Sequence, residues 1–272
     1  MTLLKRIATL LVLTLAIGLA GCSSLTLAYQ QLPLLAGLWA DGYLDLDGAQ
    51  RSRLKEQLQT WHAWHRREEL PQLQALLRQA HAALDDGVTR DELLALERAA
   101  RASAERSLRQ AAPLAAPLLA TLKPEQWQHL QKELDDKTAD WRERQTGSDA
   151  VEQRAKRYVT NLERWLGDLD RATLRQARAD TEGWQFDLPS MAQGRATRQA
   201  RTVEGLRAWS RQDLGTGTAL MMQNLLPLPA EQAYREQIIA SVLKLMNGLS
   251  AEQREAVRKH WAALSDELGS LL

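Results

Sequence analysis

The chain has 272 residues, of which 44% are hydrophobic, and its 35 basic and 34 acidic side chains give a formal net charge of +1. A chain of this length and apolar content buries one sizeable core or two smaller ones. The balanced charge and the even spread of basic residues argue against binding to nucleic acid, and no polybasic patch for anionic lipids stands out.

The first 22 residues have the layout of an export signal. Lys5 and Arg6 precede an uncharged run at positions 7–20, which is too short to cross about 30 Å of hydrocarbon as a helix. The letters L-A-G-C follow at positions 19–22, and Cys22 is the only cysteine, so it has no disulfide partner within the chain. This segment resembles a bacterial lipoprotein signal peptide, which is cut before a cysteine that carries lipid.

The resemblance implies a signal peptide at residues 1–21, lipidation at Cys22 and a lipidated segment at residues 22–45. Two or three acyl chains would hold the protein at a membrane without a spanning helix. Ser23 replaces the aspartate that signals inner-membrane retention in enterobacterial lipoproteins. We therefore expect an outer-membrane anchor with the folded domain in the periplasm, while an inner-membrane anchor stays open. An ordinary secretory signal with an unrelated cysteine and a retained membrane-spanning helix are the alternatives.

Beyond the N-terminal segment, apolar residues recur in steps of three, four and seven, which is typical of helices with one buried face. No sustained alternation predicts a strand. We expect an all-α multi-helix bundle of eight or so helices over residues 46–272. The apolar stripes include Leu54, Leu58 and Trp61; Trp127, Leu130, Leu134 and Trp141; Tyr158, Leu162, Trp165 and Leu169; and Val257, Trp261, Leu264 and Leu268.

Proline and glycine predict where these helices end. Pro71 is expected to kink or restart a helix. Gly147 is expected to begin a turn, and a division of the bundle into two lobes would fall there. The remaining breaks are a connector with Pro113, Pro117 and Pro124, a long loop over residues 183–194, and two separators at residues 215–218 and 226–229.

One short pattern recurs before four of the helical stripes, at Leu46–Gln50, Leu122–Gln126, Leu169–Thr173 and Leu249–Gln253. In the first and last copies an Asp or Ser caps the helix while a Gln reaches back, as in a capping box. The pattern is similar to the L-T-x-x-Q motif of the periplasmic Spy and CpxP group, some of which are chaperones. Good helix starts without a shared function are the favoured explanation of the pattern.

A more extended resemblance covers residues 19–71 and continues weakly at residues 122–126. It is to a family of uncharacterised proteobacterial lipoproteins known only as a domain of unknown function. The resemblance implies a lipid-anchored helical protein and supplies no catalytic residue. It is carried by Leu27, Ala28, Tyr29, Leu32, Pro33, Leu35, Ala36, Trp39, Asp41, Gly42, Tyr43, Asp45, Leu46, Asp47, Gln50, Trp61, Trp64, His65, Arg66, Leu70 and Pro71.

Candidate sites for chemistry are few. His62 and His65 share a helix face, but no neighbouring Cys or third His completes a zinc set, so helix packing or a surface hydrogen bond is favoured. The acids between residues 41 and 47 do not fit the register of a calcium loop. Residues 215–218 lack the Gly-Lys-Ser/Thr of a phosphate loop. The sequence predicts no catalytic residue, no metal site and no cofactor.

The expected loop at residues 183–194 carries Trp184, Phe186, Leu188 and Met191. Loops often carry binding residues, and aromatic side chains make good anchors, so these four are the candidate partner-binding residues. A loop that folds back into its own core is the alternative.

Two functions remain open. The first is a non-catalytic envelope scaffold, adaptor or chaperone-like binding protein with an envelope protein as partner. The second is a hydrolase that acts on an envelope polymer or lipid without a recognisable catalytic motif. A continuous apolar groove would favour binding, and a cluster of His and acidic residues in one pocket would favour catalysis.

Overall fold

The computed structural model describes residues 24–82, 84 and 87–272, so the expected signal peptide and Cys22 lie outside the described residues. The described residues are helical and contain no β-strand, which confirms the all-α prediction. The helices are α1 (Ser24–Gln30), α2 (Leu32–Leu44), α3 (Gly48–Trp64), α4 (Leu70–Ala82), α5 (Arg90–Leu119), α6 (Pro124–Thr146), α7 (Ala150–Leu166), α8 (Arg171–Asp180), α9 (Leu188–Ser210), α10 (Leu214–Gln223), α11 (Gln232–Gly248) and α12 (Ala251–Ser270).

There are more helices than the eight or so expected, since several are short. α3 and α4 run on from one another through a π-helical turn at His65–Glu69. Pro71 has no N–H, and its ring crowds the carbonyl group four residues earlier. Next to it the helix widens, and the Leu70 N–H bonds to the carbonyl oxygen of His65, five residues back. Pro71 therefore interrupts the α-helix as predicted, but α3, the π-turn and α4 still form one continuous helical segment, the α3–α4 rod.

Two other predicted breaks are wrong. Pro113 and Pro117 lie inside α5 with their rings exposed, so they form no connector. Ala112 and Ala116, which precede the two prolines and lie on the buried face of α5, are 1% and 0% exposed. Burial of that face stabilises the helix across both prolines, because tertiary packing contributes more to helix stability than local propensity.

The segment at residues 215–218 is not a separator either, because it lies within α10. A Cβ atom placed on Gly217 would lie 2.6 Å from the carbonyl oxygen of Gly205 in α9 and 2.3 Å from the Trp209 ring. The two glycines thus permit close contact between α9 and α10. Glycine here serves helix packing, not a flexible loop.

Buried apolar side chains of the described residues form three clusters, and two of these join through Trp127, which leaves two core regions. One, around α2, α5, α6, α9 and α10, includes Leu46, Leu130 and Trp209. The other lies around α7, α8, α11 and α12. The chain does turn at Gly147, and segments from both sides of it enter each region. The division into two lobes stays a prediction.

The four recurring segments do start helices, as predicted. Capping boxes begin α3 at Asp47 and α12 at Ser250, and the Asp170 side chain accepts the Thr173 N–H at the start of α8. At α6 the cap residue is Lys123, whose N–H donates to the Gln126 side chain at 3.0 Å. Helix capping therefore accounts for the local pattern at all four positions.

The capping segments also bind each other in pairs. Gln50 and Gln126 exchange hydrogen bonds of 3.1 Å and 2.7 Å between their amide groups, which joins the start of α3 to the start of α6. Gln253 donates in the same way to Asp170 and, at 2.8 Å, to Thr173, which joins α12 to α8. Each pair adds a tertiary contact to the local cap, which the sequence pattern did not predict.

The Gln50–Gln126 pair makes a testable prediction. Gln126 is 7% exposed and also donates to the carbonyl oxygens of Leu44 and Asp45. Gln126→Ala leaves buried groups unbonded, so we expect a loss of about 1–3 kcal/mol in the free energy of unfolding, measured by urea denaturation. Gln253 is half-exposed, so Gln253→Ala serves as the matched control and should lower the free energy of unfolding less.

Because Gln50 and Gln126 share one interaction, the double variant Gln50→Ala/Gln126→Ala should cost less than the sum of the two single variants. Additive losses would show that each glutamine acts only as the cap of its own helix.

Candidate functional site

An apolar groove of about 300 Å³ opens between α2, α3 and α5. Its size is at the lower end of the range for small-molecule sites in proteins, about 300–1,000 Å³. α3 contributes the largest side chain, Trp61, whose Nε1 donates to the Ser107 carbonyl oxygen of α5 at 3.1 Å. The apolar lining consists of Leu32, Pro33, Ala36, Leu54, Leu58, Trp61, Ala111, Leu114 and Ala115.

Two polar side chains of α3, Gln57 and His62, also line the groove. Gln57 Oε1 and His62 Nε2 are buried and have no hydrogen-bond partner among the described residues. Burial of an unbonded polar atom costs free energy, and most such atoms in proteins are bonded. Because both atoms are closed to solvent, a ligand in the groove would reach Gln57 Oε1, an acceptor, or the His62 ring nitrogen only after a side-chain movement.

Tyr29 of α1 packs beside the groove, against the lining residue His62. Its hydroxyl lies 3.0 Å from His65 Nδ1, and its ring centroid lies 4.6 Å from that of His62. Burial raises the pKa of Tyr29 and lowers the pKa of His65, although Glu69 partly opposes the second shift. These contacts fix α1 against α3, so the N-terminal segment forms part of the site.

Glu69, at the end of the π-turn, is 1% exposed. Arg106 of α5 contacts both carboxylate oxygens, at 2.6 Å and 2.9 Å, and the Ser103 hydroxyl donates to one of them at 2.6 Å. Burial raises the pKa of Glu69, but these hydrogen bonds outweigh burial and hold the pKa below its usual value. The Ser103 hydroxyl donates to a carboxylate and not to a histidine, so it is not arranged as an activated nucleophile.

The two histidines singled out from the sequence both lie at this site. His65 is hydrogen-bonded to Tyr29, and its ring centroid lies 4.8 Å from that of Trp61. The hydrogen bond and packing expected for this pair are therefore present. In the part of the chain that the structure describes, no three His, Cys, Asp or Glu residues are grouped to hold a metal ion.

The predicted loop at residues 183–194 is shorter than expected. α9 begins at Leu188, because Pro189 occupies its first turn and the Asp187 side chain accepts the Ser190 N–H. A short 3-10 helix, Thr181–Gly183, precedes the loop. The irregular segment is therefore residues 184–187 alone.

The structure does not bring the four candidate partner-binding residues together in one exposed loop. Trp184 is half-buried, donates from Nε1 to the Ser241 hydroxyl at 3.2 Å, and packs on the second core region. Half-buried Phe186 lies under the Arg154 guanidinium at 4.5 Å.

Leu188 and Met191 are half-buried on α9, and Leu188 lines a separate pocket with residues of α6. Partner binding by Trp184, Phe186, Leu188 and Met191 stays a prediction. The contacts of Trp184 are those expected of a segment that folds back onto the core.

Sequence reasoning missed the groove. One sequence feature did point to an apolar surface. Residues 32–39 of α2 are all apolar or glycine, whereas a helix with one buried face needs apolar residues on that face alone. The walls of the groove are far apart in the chain, so the sequence did not indicate that they meet.

The pKa shift of His65 makes a prediction about pH. A histidine whose folded pKa lies below its usual 6.5 binds a proton more readily in the unfolded chain. Its contribution to stability is therefore complete above about pH 6.5 and is lost as the pH falls toward the folded pKa. We expect the urea midpoint to fall between pH 7.5 and pH 5.5, and to fall less in His65→Gln. An identical fall in the two proteins would contradict the prediction.

Comparison with known proteins places the chain in a family. No curated protein and no solved structure gave a significant match. The match to a family model covers residues 42–227, which includes α3, the π-turn and α5 of the site but begins within α2. The resemblance noticed at residues 19–71 is thus confirmed in part, as a relation to proteins of unknown function. Because the match covers more than half of the 272 residues, the chain belongs to DUF6279, a family of unknown function.

Proposed function

We propose that this protein is a lipid-anchored envelope protein that acts as a non-catalytic scaffold, adaptor or chaperone-like factor, with the groove between α2, α3 and α5 as its binding site. The observation that carries the proposal is the combination of an apolar lining with two buried polar atoms that have no partner among the described residues. Apolar sites with a few convergent polar groups are typical of binding sites.

The ligand that fits this lining is an exposed apolar segment of an envelope protein. Its apolar side chains would cover the lining, and a backbone or side-chain N–H would bond Gln57 Oε1. A groove that supplies mostly apolar contact accepts many sequences, as a scaffold or chaperone-like factor requires.

The proposed location supports the same function. Lipid on Cys22 would hold the protein at the outer membrane, with the helical body in the periplasm, and α1 begins two residues later at Ser24. Since Tyr29 fixes α1 against α3, the groove would lie close to the anchor. The protein would then bind its partners near the membrane surface.

The experiment is photocrosslinking in the envelope of living cells. A photoreactive amino acid replaces Leu58 in the groove, and in a second protein it replaces the exposed Glu163 of α7. We expect discrete crosslinked species in the membrane fraction from position 58 and none of the same species from position 163. Cys22→Ala should give a released protein or an uncleaved precursor if lipid on that residue is the anchor.

A matched pair of variants tests the groove itself. Ala36→Leu adds volume inside the groove, whereas Ala40→Leu adds the same side chain one turn later on α2, outside the groove lining. Loss of the crosslinks with Ala36→Leu but not with Ala40→Leu supports binding in the groove. Crosslinks that survive Ala36→Leu would contradict the proposed site, and a Cys22→Ala protein with a cleaved signal that still resists alkaline extraction from membranes would contradict the proposed anchor.

A further inference from the structure

The first two helices carry an unusual amount of exposed apolar surface. Leu34, Leu38 and Trp39 of α2 are 59%, 62% and 67% exposed, and Leu27 of α1 is 58% exposed. Leu35 is also exposed, so neighbouring positions on one side of α2 form a continuous outer face. Leu25 of α1 is exposed as well, and the other exposed large apolar residues of the described chain lie outside these two helices, at Val151, Trp165, Leu226 and Leu272.

The outer face of α2 is not needed for packing within the protein. The inner face of α2 already packs on the protein, where Leu32 and Ala36 line the groove and Leu44 is 8% exposed. A helix that is apolar all round is normally covered on every side. Contiguous exposed apolar surface marks a site of interaction with a protein or a membrane.

We propose that the outer face of α1 and α2 lies in the interfacial layer of the bilayer, as a second membrane contact beside the lipid on Cys22. The proposal rests on the anchor described under the proposed function. α1 begins at Ser24, and two residues of extended chain span only about 7 Å. An acylated Cys22 would therefore hold the exposed face next to the lipid headgroups.

The composition of this segment fits a lipid surface. Asp41 is the only charged side chain among residues 24–44. Near the end of the face, the ring centroids of Trp39 and Tyr43 lie 4.7 Å apart. Trp and Tyr are favoured where the hydrocarbon layer meets water, because each ring is apolar and carries a polar group.

The geometry favours a helix that lies on the bilayer. α2 has 13 residues, which gives a length of about 20 Å, and the hydrocarbon layer is about 30 Å thick. None of the described helices combines the length and the apolar character needed to cross a membrane. With α2 lying on the lipid, the groove on its inner side would face away from the hydrocarbon layer.

The test places a fluorescent probe on each side of the molecule. Lipidation blocks the only native thiol, so Leu38→Cys and the control Glu163→Cys each supply one reactive site for a polarity-sensitive probe. The full mature protein is reconstituted into vesicles of phosphatidylethanolamine and phosphatidylglycerol that contain lipids with nitroxide groups on their acyl chains. We expect a shift to shorter wavelength and loss of intensity at position 38, and neither at position 163.

The outcomes separate this inference from the anchor. A probe at position 38 that reports water while the protein floats with the vesicles would overturn the inference and leave the anchor intact. A blue-shifted probe that nitroxide lipids do not quench would also overturn it, since a second copy or a partner protein would then cover the face. If the native protein reacts with the thiol probe, the anchor fails, and Leu38→Cys in a Cys22→Ala background then supplies the single site at which quenching by added vesicles would still support membrane contact of this face.

Discussion

The buried carboxylate of Glu69 fixes the geometry on which the groove depends. An unpaired carboxylate in this position would be costly, so Arg106 and Ser103 must keep α5 against the α3–α4 rod in one register. Pro71 interrupts the α-helical hydrogen bonding at this point, and the π-turn that results places Glu69 toward α5. The same turn carries His65, which holds Tyr29 and α1. One local change in helix geometry thus positions α3 against α5, two walls of the groove, and holds α1 beside them.

The groove and the proposed membrane contact are the two sides of a single helix. α2 presents Ala36 to the groove and Leu38 to the surroundings, so a movement of α2 toward the bilayer would change the width of the groove. Gln126 of α6 holds the C-terminal end of α2, because it donates to the carbonyl oxygens of Leu44 and Asp45. The paired caps therefore support the helix on which both proposals depend.

The sequence predicted the features that follow from local chemistry. The helical periodicity and the caps at Asp47 and Ser250 are confirmed, because both depend on residues three or four positions apart. Pro113 and Gly217 were misread as breaks, because their outcome depends on packing between distant helices. The Gln50–Gln126 pair joins residues 76 positions apart, and no sequence spacing indicates such a contact. The groove was missed for the same reason.

The central claim is that the protein meets the membrane through α1 and α2. The most direct measurement is crosslinking of the full mature protein to phospholipids that carry a photoreactive group in the acyl chain, with the labelled peptides identified by mass spectrometry. The account predicts labels within residues 24–44, on or near Leu34 and Leu38, and few on the exposed faces of α7 or α12. Labels spread evenly over the helical body, or concentrated on other helices, would contradict it.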